Sequence, residues 1–158
     1  MEIERKFLVT RLPENLDSYP HDKISQAYIS TDPVIRIRQK NEDYILTVKS
    51  SGLLAREEVE MPLTKESFSH LMTKAEGVLI EKTRYKIPDL SGLLMELDLF
   101  HGVYDGFIMA EVEFPDLQTA QSYNPPPWFG PEVTQNPEYH NSRLSKRSKE
   151  EISAFLHR

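Results

Sequence analysis

Eight short segments between residues 2 and 114 alternate apolar residues with charged or polar ones. This two-residue period is typical of a β-strand, in which successive side chains point to opposite faces. The segments are Glu2–Val9, Lys23–Ser30, Pro33–Gln39, Tyr44–Ser50, Arg56–Pro62, Leu79–Pro88, Leu93–Phe100 and Phe107–Phe114. The pattern predicts an antiparallel sheet whose strands each have one apolar face and one charged or polar face.

The charges on these faces are sorted by sign from strand to strand. The third, fourth and sixth segments carry only basic charges there, whereas the seventh and eighth carry only acidic charges and the first carries mostly acidic ones. The basic set is Arg36, Arg38, Lys49, Lys82, Arg84 and Lys86, and the acidic set is Glu2, Glu4, Glu96, Asp98, Glu111 and Glu113. Like charges two residues apart repel each other, and solvated faces normally mix both signs. The sorting therefore indicates faces that surround a charged ligand.

The two sets of side chains suit two parts of one ligand. Guanidinium groups bind phosphate through paired hydrogen bonds, and lysine adds a compact positive charge. Carboxylates bind Mg²⁺ or Mn²⁺, which prefer oxygen ligands. A basic wall that faces an acidic wall is thus predicted to bind a metal–polyphosphate complex inside a closed barrel, with the apolar faces turned outward beneath other elements.

Two helices are predicted outside the alternating segments. Thr64–Glu76 has helical spacing of apolar residues, with Thr64 as its N-cap and Gly77 as its end. Ser148–Glu151 is a capping-box pattern that begins a C-terminal helix. The stretch from 115 to 141 is interpreted as an irregular, packed connection.

Length and composition narrow the class of protein. The 158 residues fit one domain, with barrel strands over about 2–114 and a helical tail over about 115–158. The chain has no cysteine, which excludes disulfides and thiolate metal sites and suits a cytoplasmic location. No apolar run is long enough for a membrane helix, and a porin-like barrel is disfavoured because the segments are short and export signals are missing. The net charge of −6 argues against nucleic acid as a partner.

Several motifs, taken in order, resemble one known family. The chain is similar to small bacterial CYTH-domain proteins, also called triphosphate tunnel metalloenzymes, whose signature Glu-x-Glu-x-Lys is matched by Glu2–Lys6. The further matches are Arg36–Arg38, Thr47–Lys49, Arg56 with Glu58 and Glu60, Lys82–Arg84, Glu96–Asp98, Glu111–Phe114, Gly130–Thr134 and Tyr139–Ser142. The resemblance implies an eight-stranded antiparallel barrel that forms a tunnel, with helices packed outside it.

The resemblance also implies an activity and a set of site residues. We expect a hydrolase of inorganic triphosphate that depends on Mg²⁺ or Mn²⁺, in which water attacks in line. Triphosphate would bind to Lys6, Arg36, Arg38, Lys49, Arg56, Lys82 and Arg84, and metal to Glu2, Glu4, Glu96, Asp98, Glu111 and Glu113. The residues expected to take part in catalysis are Lys6, Lys82, Glu58 and Glu60. The last two either orient the attacking water or pair with Arg56 and Lys86 as counter-ions.

Other interpretations stay open at this point. The same tunnel suits an adenylyl cyclase or a nucleoside or thiamine triphosphatase, and Tyr28 either contacts substrate or fills the wall. A non-catalytic polyphosphate-binding or nucleotide-binding module and a barrel with outward charges are the remaining alternatives. The basic cluster Lys146–Lys149 is interpreted as a solvated helix face, with a lid at the tunnel mouth as the second interpretation. The five histidines are assigned no role, and a homodimer is compatible with the sequence.

Overall fold

A computed structural model describes residues 1–157 of the chain. Its strands are β1 (Glu2–Leu8), β2 (His21–Thr31), β3 (Val34–Lys40), β4 (Asp43–Lys49), β5 (Ala55–Arg56), β6 (Glu58–Leu63), β7 (Glu76–Pro88), β8 (Leu94–His101) and β9 (Ile108–Glu113). Its α-helices are α1 (Lys65–Met72), α2 (Leu117–Ser122), α3 (Asn141–Lys146) and α4 (Lys149–Leu156).

The strands form one antiparallel sheet that curls into a nearly closed barrel. Their order is β5-β1-β9-β8-β7-β2-β3-β4-β6, so the first strand lies beside the last. The two edge strands are joined directly by Glu57, whose backbone is bonded to Ser50. The predicted single fifth strand, Arg56–Pro62, is therefore wrong in detail: the chain bends at Glu57, where pairing changes from β1 to β4, and nine strands result instead of eight.

The strand order places the charged faces of like sign next to each other. The acidic strands β1, β9 and β8 are consecutive, and the basic strands β3 and β4 are likewise adjacent to each other, separated from β8 by β7 and β2. The remaining basic strand, β7, is paired with acidic β8. The barrel interior therefore contains an acidic sector, which changes to a basic one at the β8–β7 boundary.

The apolar faces of the strands point outward and are covered by the helices and the tail. One cluster of buried residues packs beneath α2 and the segment around Phe129, and a second packs beneath α3 and α4. A third lies beneath α1, where Phe68 contacts Ala27 and Ile37. Hydrophobic burial thus stabilises the outside of the barrel, and the interior is left free for charged side chains. This arrangement confirms the predicted inversion of faces.

The helical regions differ from the sequence-based expectations at several points. Thr64 caps α1 as predicted, and Ser148 and Glu151 form the predicted capping box. However, α1 ends at Met72, and Gly77 lies inside β7 instead of ending the helix. The region that was expected to be irregular contains both α2 and the start of α3. Among residues 1–157, none of the helices has the length and apolar character needed to span a bilayer.

The tail is held against the barrel by two close contacts. Arg5, on the outer face of β1, donates to both carboxylate oxygens of Glu132 at 2.9 and 2.7 Å and to the carbonyl oxygens of Ala120 and Tyr123. At Gly77 the backbone of β7 approaches α3 so closely that an added Cβ would lie 2.1 Å from the carbonyl oxygen of Ser145. These contacts bring the start of α3 to the barrel opening.

Candidate active site

The barrel interior encloses a cavity of about 280 Å³. Seven cationic and seven anionic side chains line it, together with Tyr28, Val34 and three residues from the tail. The cations are Lys6, Arg36, Arg38, Lys40, Lys49, Arg56 and Arg84, and the anions are Glu2, Glu4, Glu58, Glu60, Glu96, Glu111 and Glu113. All but Lys40 were singled out from the sequence, and the fold brings them to one place.

The acidic sector is built by strand register. Glu4 pairs with Glu113 across β1 and β9, and Glu111 pairs with Glu96 across β9 and β8. Partial desolvation at the cavity wall raises the pKa of Glu113, and the charges of Glu2, Glu96 and Glu4 raise it further. Burial also raises the pKa of Glu96, against the opposing effect of Arg84. Carboxylates in this arrangement repel one another, so a bound cation would stabilise them.

The carboxylates of this sector contact nearby cations. Lys49 Nζ lies 2.9 Å from Glu2 Oε1, Lys6 Nζ lies 3.5 Å from Glu4 Oε1, and Arg84 Nη2 lies 3.7 Å from Glu111 Oε2. Within residues 1–157, no three Asp, Glu, His or Cys side chains already converge at metal-binding distance. The donor set, which consists of carboxylate oxygens, fits a hard divalent cation. Binding one would require these side chains to turn from their lysine and arginine partners toward each other.

The basic sector contains two arginines that are poorly matched by the protein. Arg38 Nε donates to Gln26 Oε1 at 2.8 Å, and none of the carboxylates in residues 1–157 forms an ion pair with it. Burial and the neighbouring charges of Arg36 and Arg84 lower the pKa of Arg38 to about 9. Arg36 Nε is buried with no hydrogen-bond partner in the described chain, although its Nη2 donates to Thr47. A buried donor without a partner on Arg36, beside the half-buried Arg38, which lacks a counter-ion among the described residues, indicates an anionic ligand.

Two of the predicted site residues lie beneath the cavity lining. Lys82 and Asp98 are fully buried, with Lys82 Nζ 2.8 Å from Asp98 Oδ2. Arg84 donates to both oxygens of Asp98, at 2.8 and 2.9 Å. Although burial opposes it, Arg84 and Lys82 hold the pKa of Asp98 well below its usual range. Asp98 thus acts in this structure as the counter-ion of two cations, and its oxygens do not reach the cavity that the other acidic side chains line.

The third part of the wall comes from β5 and β6. Arg56 Nε lies 3.5 Å from Glu2, and Glu58 Oε2 lies 3.3 Å from Lys49 Nζ. Glu60 lies 3.9 Å from Arg36 and accepts from Thr47 at 3.4 Å. Glu58 and Glu60 therefore do contact cations, but their partners are Lys49 and Arg36, not the expected Arg56 and Lys86. Lys86 pairs instead with Asp22, at 3.0 Å.

The tail contributes cavity residues that sequence reasoning missed. His140, Asn141 and Ser142 line the cavity, and Lys82 Nζ donates to Asn141 Oδ1 at 3.3 Å. The resemblance of Tyr139–Ser142 to the family was the available signal, whereas histidine spacing carried none. The predicted solvated face at Lys146–Lys149 is wrong for Arg147, which is buried, donates to Glu138 and lies 4.0 Å above the ring of Phe155.

Comparisons with known proteins agree with this geometry. The family model for the CYTH domain matches residues 1–149. An inorganic triphosphatase of Nitrosomonas europaea is 43% identical over 150 residues, an alignment that covers 91% of this chain and 96% of that protein. An inorganic triphosphatase of Acetivibrio thermocellus is 37% identical over 154 residues, covering 92% and 93%. A crystal structure of an inorganic triphosphatase superposes with a TM-score of 0.70 at 37% identity, covering 94% of this chain and 96% of that one.

The family model and the relatives cover the same residues that build the barrel and its charged cavity. The matched region begins at the Glu2–Lys6 signature and extends through the tail residues that line the cavity. The chain therefore belongs to the CYTH family.

Proposed function

We propose that this protein is a divalent-metal-dependent inorganic triphosphatase. The observation that carries the proposal is the pair of poorly matched arginines, Arg36 and Arg38, which face a sector of mutually repelling carboxylates inside one cavity. A metal–triphosphate complex satisfies both sides, because its phosphates match the arginines and its metal matches the carboxylates. Relatives at 43% and 37% identity that are named inorganic triphosphatases support the same conclusion.

The cationic residues bind and orient the triphosphate. Arg36 and Arg38 provide donors along one wall, and Lys49, Lys6 and Arg56 add charge from the strands beside it. Each of the last three is already near a carboxylate, so their hydrogen bonds must redistribute when substrate binds. Fixed positive charges stabilise the charge that develops on phosphate oxygens in the transition state. Water attacks the terminal phosphorus, the bridging P–O bond breaks, and orthophosphate and pyrophosphate are released.

The carboxylates of β1, β9 and β8 would hold Mg²⁺ or Mn²⁺. Glu2, Glu4, Glu111 and Glu113 line the same cavity, and Glu96 adjoins this set through its strand pairing with Glu111. The bound ion would supply charge neutralisation to the phosphate oxygens. We assign Asp98 a positioning role instead, because both of its oxygens hold Arg84 and Lys82.

The remaining candidate catalytic residues differ in position: Glu58 and Glu60 line the cavity, whereas Lys82 lies beneath its lining. Burial lowers the pKa of Lys82 to about 8, against the effect of Asp98, so this amine lies close to the pH range in which it can exchange a proton. Glu58 and Glu60 line the cavity beside Lys49 and Arg36, which suits either orientation of water or neutralisation of those cations.

The lining favours inorganic triphosphate over a nucleotide or thiamine triphosphate. Among the described residues that line the cavity, Tyr28 is the one phenol ring and Val34 the one aliphatic side chain. Tyr28 is only 3% exposed, and its hydroxyl accepts from Gln26 at 3.3 Å. An organic group would add bulk without matching contacts, so binding energy comes from the phosphates.

One experiment tests the activity and its rivals. Phosphate release is measured from inorganic triphosphate, ATP and thiamine triphosphate, each with Mg²⁺, with Mn²⁺ and with a chelator. We expect the highest kcat/KM for inorganic triphosphate, and no turnover with the chelator. Equal turnover without metal, or conversion of ATP to cyclic AMP and pyrophosphate, contradicts the proposal. The homodimer and the cytoplasmic location predicted from the sequence stay predictions.

A further inference from the structure

One polar side chain in the cavity wall has a buried nitrogen that is unpaired within residues 1–157, and it has no role in the proposed hydrolysis. His140 is 9% exposed, and its Nε2 is buried without a hydrogen-bond partner among residues 1–157. Buried polar atoms are nearly always hydrogen-bonded, so an unpaired one in a binding cavity points to the ligand as its partner. Arg36 Nε, in the same cavity, is unpaired in the same way.

The position of His140 is set by its backbone and by the elements around it. Its N–H donates to the carbonyl oxygen of Pro137, and its own carbonyl oxygen accepts from Arg143 and Leu144 at the start of α3. The side chain makes no capping bond to the helix. Asn141, the next residue, is bonded to Lys82 beneath the cavity. The backbone therefore holds the imidazole at the cavity wall, and Nε2 is available to bind a ligand.

His140 also stands at a boundary between two cavities. A second pocket of about 270 Å³ lies beside the first and is lined by the β2–β3 turn and by residues 50–53. The residues that line both cavities are Val34, Arg56, His140 and Ser142. These four residues form the partition between the triphosphate cavity and the outer pocket.

The charges around His140 indicate what kind of ligand it meets. Burial and the neighbouring charges of Lys6 and Arg56 lower its pKa to about 3, so the ring is neutral at working pH. A phosphate oxygen would be attracted to Lys6 and Arg56 and would accept a hydrogen bond from Nε2–H. The ring is thus suited to donate a hydrogen bond to phosphate.

We propose that His140 donates a hydrogen bond from Nε2 to the phosphate at one end of the bound chain and, with Arg56, limits the chain to three phosphates. This inference rests on the proposed triphosphatase function and names a residue that determines its specificity. The donor and the bulk of the ring make separate contributions: the donor binds the terminal phosphate, and the bulk closes the cavity toward the outer pocket.

Three substitutions separate the donor from the bulk. His140→Gln keeps a donor at nearly the same position, His140→Phe keeps the bulk without a donor, and His140→Ala removes both. His70→Ala, at an exposed position on α1, is the matched control. The measurements are melting temperature, kcat and KM for inorganic triphosphate and tetraphosphate, and the affinity for a non-hydrolysable imido analogue of triphosphate by calorimetry with Mg²⁺.

The variants are expected to differ in their effects on KM for triphosphate and on the ratio of tetraphosphate to triphosphate turnover. His140→Phe and His140→Ala raise KM for triphosphate about tenfold to a hundredfold, because a hydrogen bond to a charged group is lost, and His140→Gln restores most of it. The ratio of tetraphosphate to triphosphate turnover rises in His140→Ala and stays low in His140→Phe. His70→Ala behaves like the wild type in both assays.

The outcomes also distinguish this inference from the proposed function. A wild type that neither hydrolyses nor binds triphosphate overturns both. A wild type that is active, with His140→Phe and His140→Ala variants that are folded and have wild-type KM, overturns the phosphate contact alone. An unchanged ratio of tetraphosphate to triphosphate turnover in His140→Ala overturns the length limit.

Discussion

At the scale of single residues, Arg38 and Arg84 show how one side-chain type takes two roles in the same barrel. Arg84 makes two hydrogen bonds to the buried carboxylate of Asp98 and is satisfied within the protein. Arg38 has Gln26 as its hydrogen-bond partner and is surrounded by like charges. A buried cation that lacks a counter-ion costs stability, whereas removal of one partner from a buried pair leaves the other uncompensated.

The same substitution at the two arginines should therefore change stability in opposite directions. Arg38→Met is expected to raise the melting temperature and to lower kcat/KM for triphosphate about a hundredfold or more, because transition-state charge loses a donor. Arg84→Met leaves Asp98 without its main partner and is expected to lower stability by about 3–5 kcal/mol. Thermal or urea unfolding and steady-state kinetics measure both. A loss of stability in Arg38→Met would contradict the view that this cation is present for the ligand.

Glu113 gives a prediction about pH and metal. Its folded-state pKa is raised, so its charged form is disfavoured in the folded protein. Without metal, stability should fall as pH rises from about the ordinary glutamate value of 4.3 through the raised pKa. Glu113→Gln should therefore melt above the wild type at pH 8, with a smaller difference at pH 5.

Divalent metal should reverse the order of the melting temperatures of the wild type and Glu113→Gln. Bound Mg²⁺ stabilises the charged carboxylates, so at pH 8 with saturating Mg²⁺ the wild type should melt above Glu113→Gln. Glu14→Gln, at an exposed position in the loop after β1, serves as the control and should show no change of order. Melting curves with Mg²⁺ and with a chelator are sufficient. The metal assignment is rejected if Mg²⁺ shifts the wild type and Glu113→Gln equally.

At the scale of elements, the tail is as much part of the site as the strands. It packs on the outside of the barrel through Arg5 and Gly77, and through these contacts it places His140 in the cavity wall. Gly77 has a φ of +74°, and a Cβ there would lie 2.1 Å from the backbone of Ser145. Since backbone atoms cannot move aside as a flexible side chain does, any side chain at this position separates α3 from β7.

Gly77→Ala should therefore impair both stability and activity. Gly92 is a matched control, because its φ is +85° and a Cβ there would meet nothing within 4 Å. Both variants carry the strain of a positive φ, about 1–2 kcal/mol, and Gly77→Ala adds about 1–3 kcal/mol for the clash. KM for triphosphate should rise in Gly77→Ala and stay near the wild-type value in Gly92→Ala. Equal effects in the two variants would show that the contact with α3 does not position the site.

At the scale of the whole molecule, the inside and outside of the barrel were predictable from the sequence. The alternation of Ile35 and Ile37 with Arg36 and Arg38 identifies the two faces of β3, because the side-chain period of a strand is two. The closing of the sheet by β1 beside β9 explains why acidic residues far apart in sequence meet. Sorting of charge by strand predicted that meeting without knowledge of the strand order.

Other features of the fold and the site depend on long-range contacts that no local sequence pattern encodes. Glu96 and Asp98 share one face of β8, yet Glu96 lines the cavity and Asp98 lies beneath it, because Arg84 is in register with Asp98. The six-residue helices α2 and α3 are too short to show a helical period. The position of His140 follows from where the tail crosses the barrel, which is set by long-range packing.

The balance of charge in the cavity leads to the last prediction. Seven cations and seven anions line it, although the whole chain carries a net charge of −6. Metal-free triphosphate would be attracted by the basic sector but repelled by the carboxylates of the acidic sector. A metal ion alone would be attracted only by the acidic sector. Each ligand should therefore bind weakly without the other.

The melting temperature should report this coupling directly. We expect small shifts with Mg²⁺ alone and with a non-hydrolysable imido analogue of triphosphate alone, and a shift with both that exceeds their sum. At a thousandfold excess over Kd the stabilisation would reach about 4 kcal/mol. Arg38→Met is the control for unspecific stabilisation by polyanions and should lose most of the joint shift. If the analogue with a chelator produced the full shift, the acidic sector would not be a metal site, because the triphosphate would then bind without any cation to neutralise the carboxylates beside it.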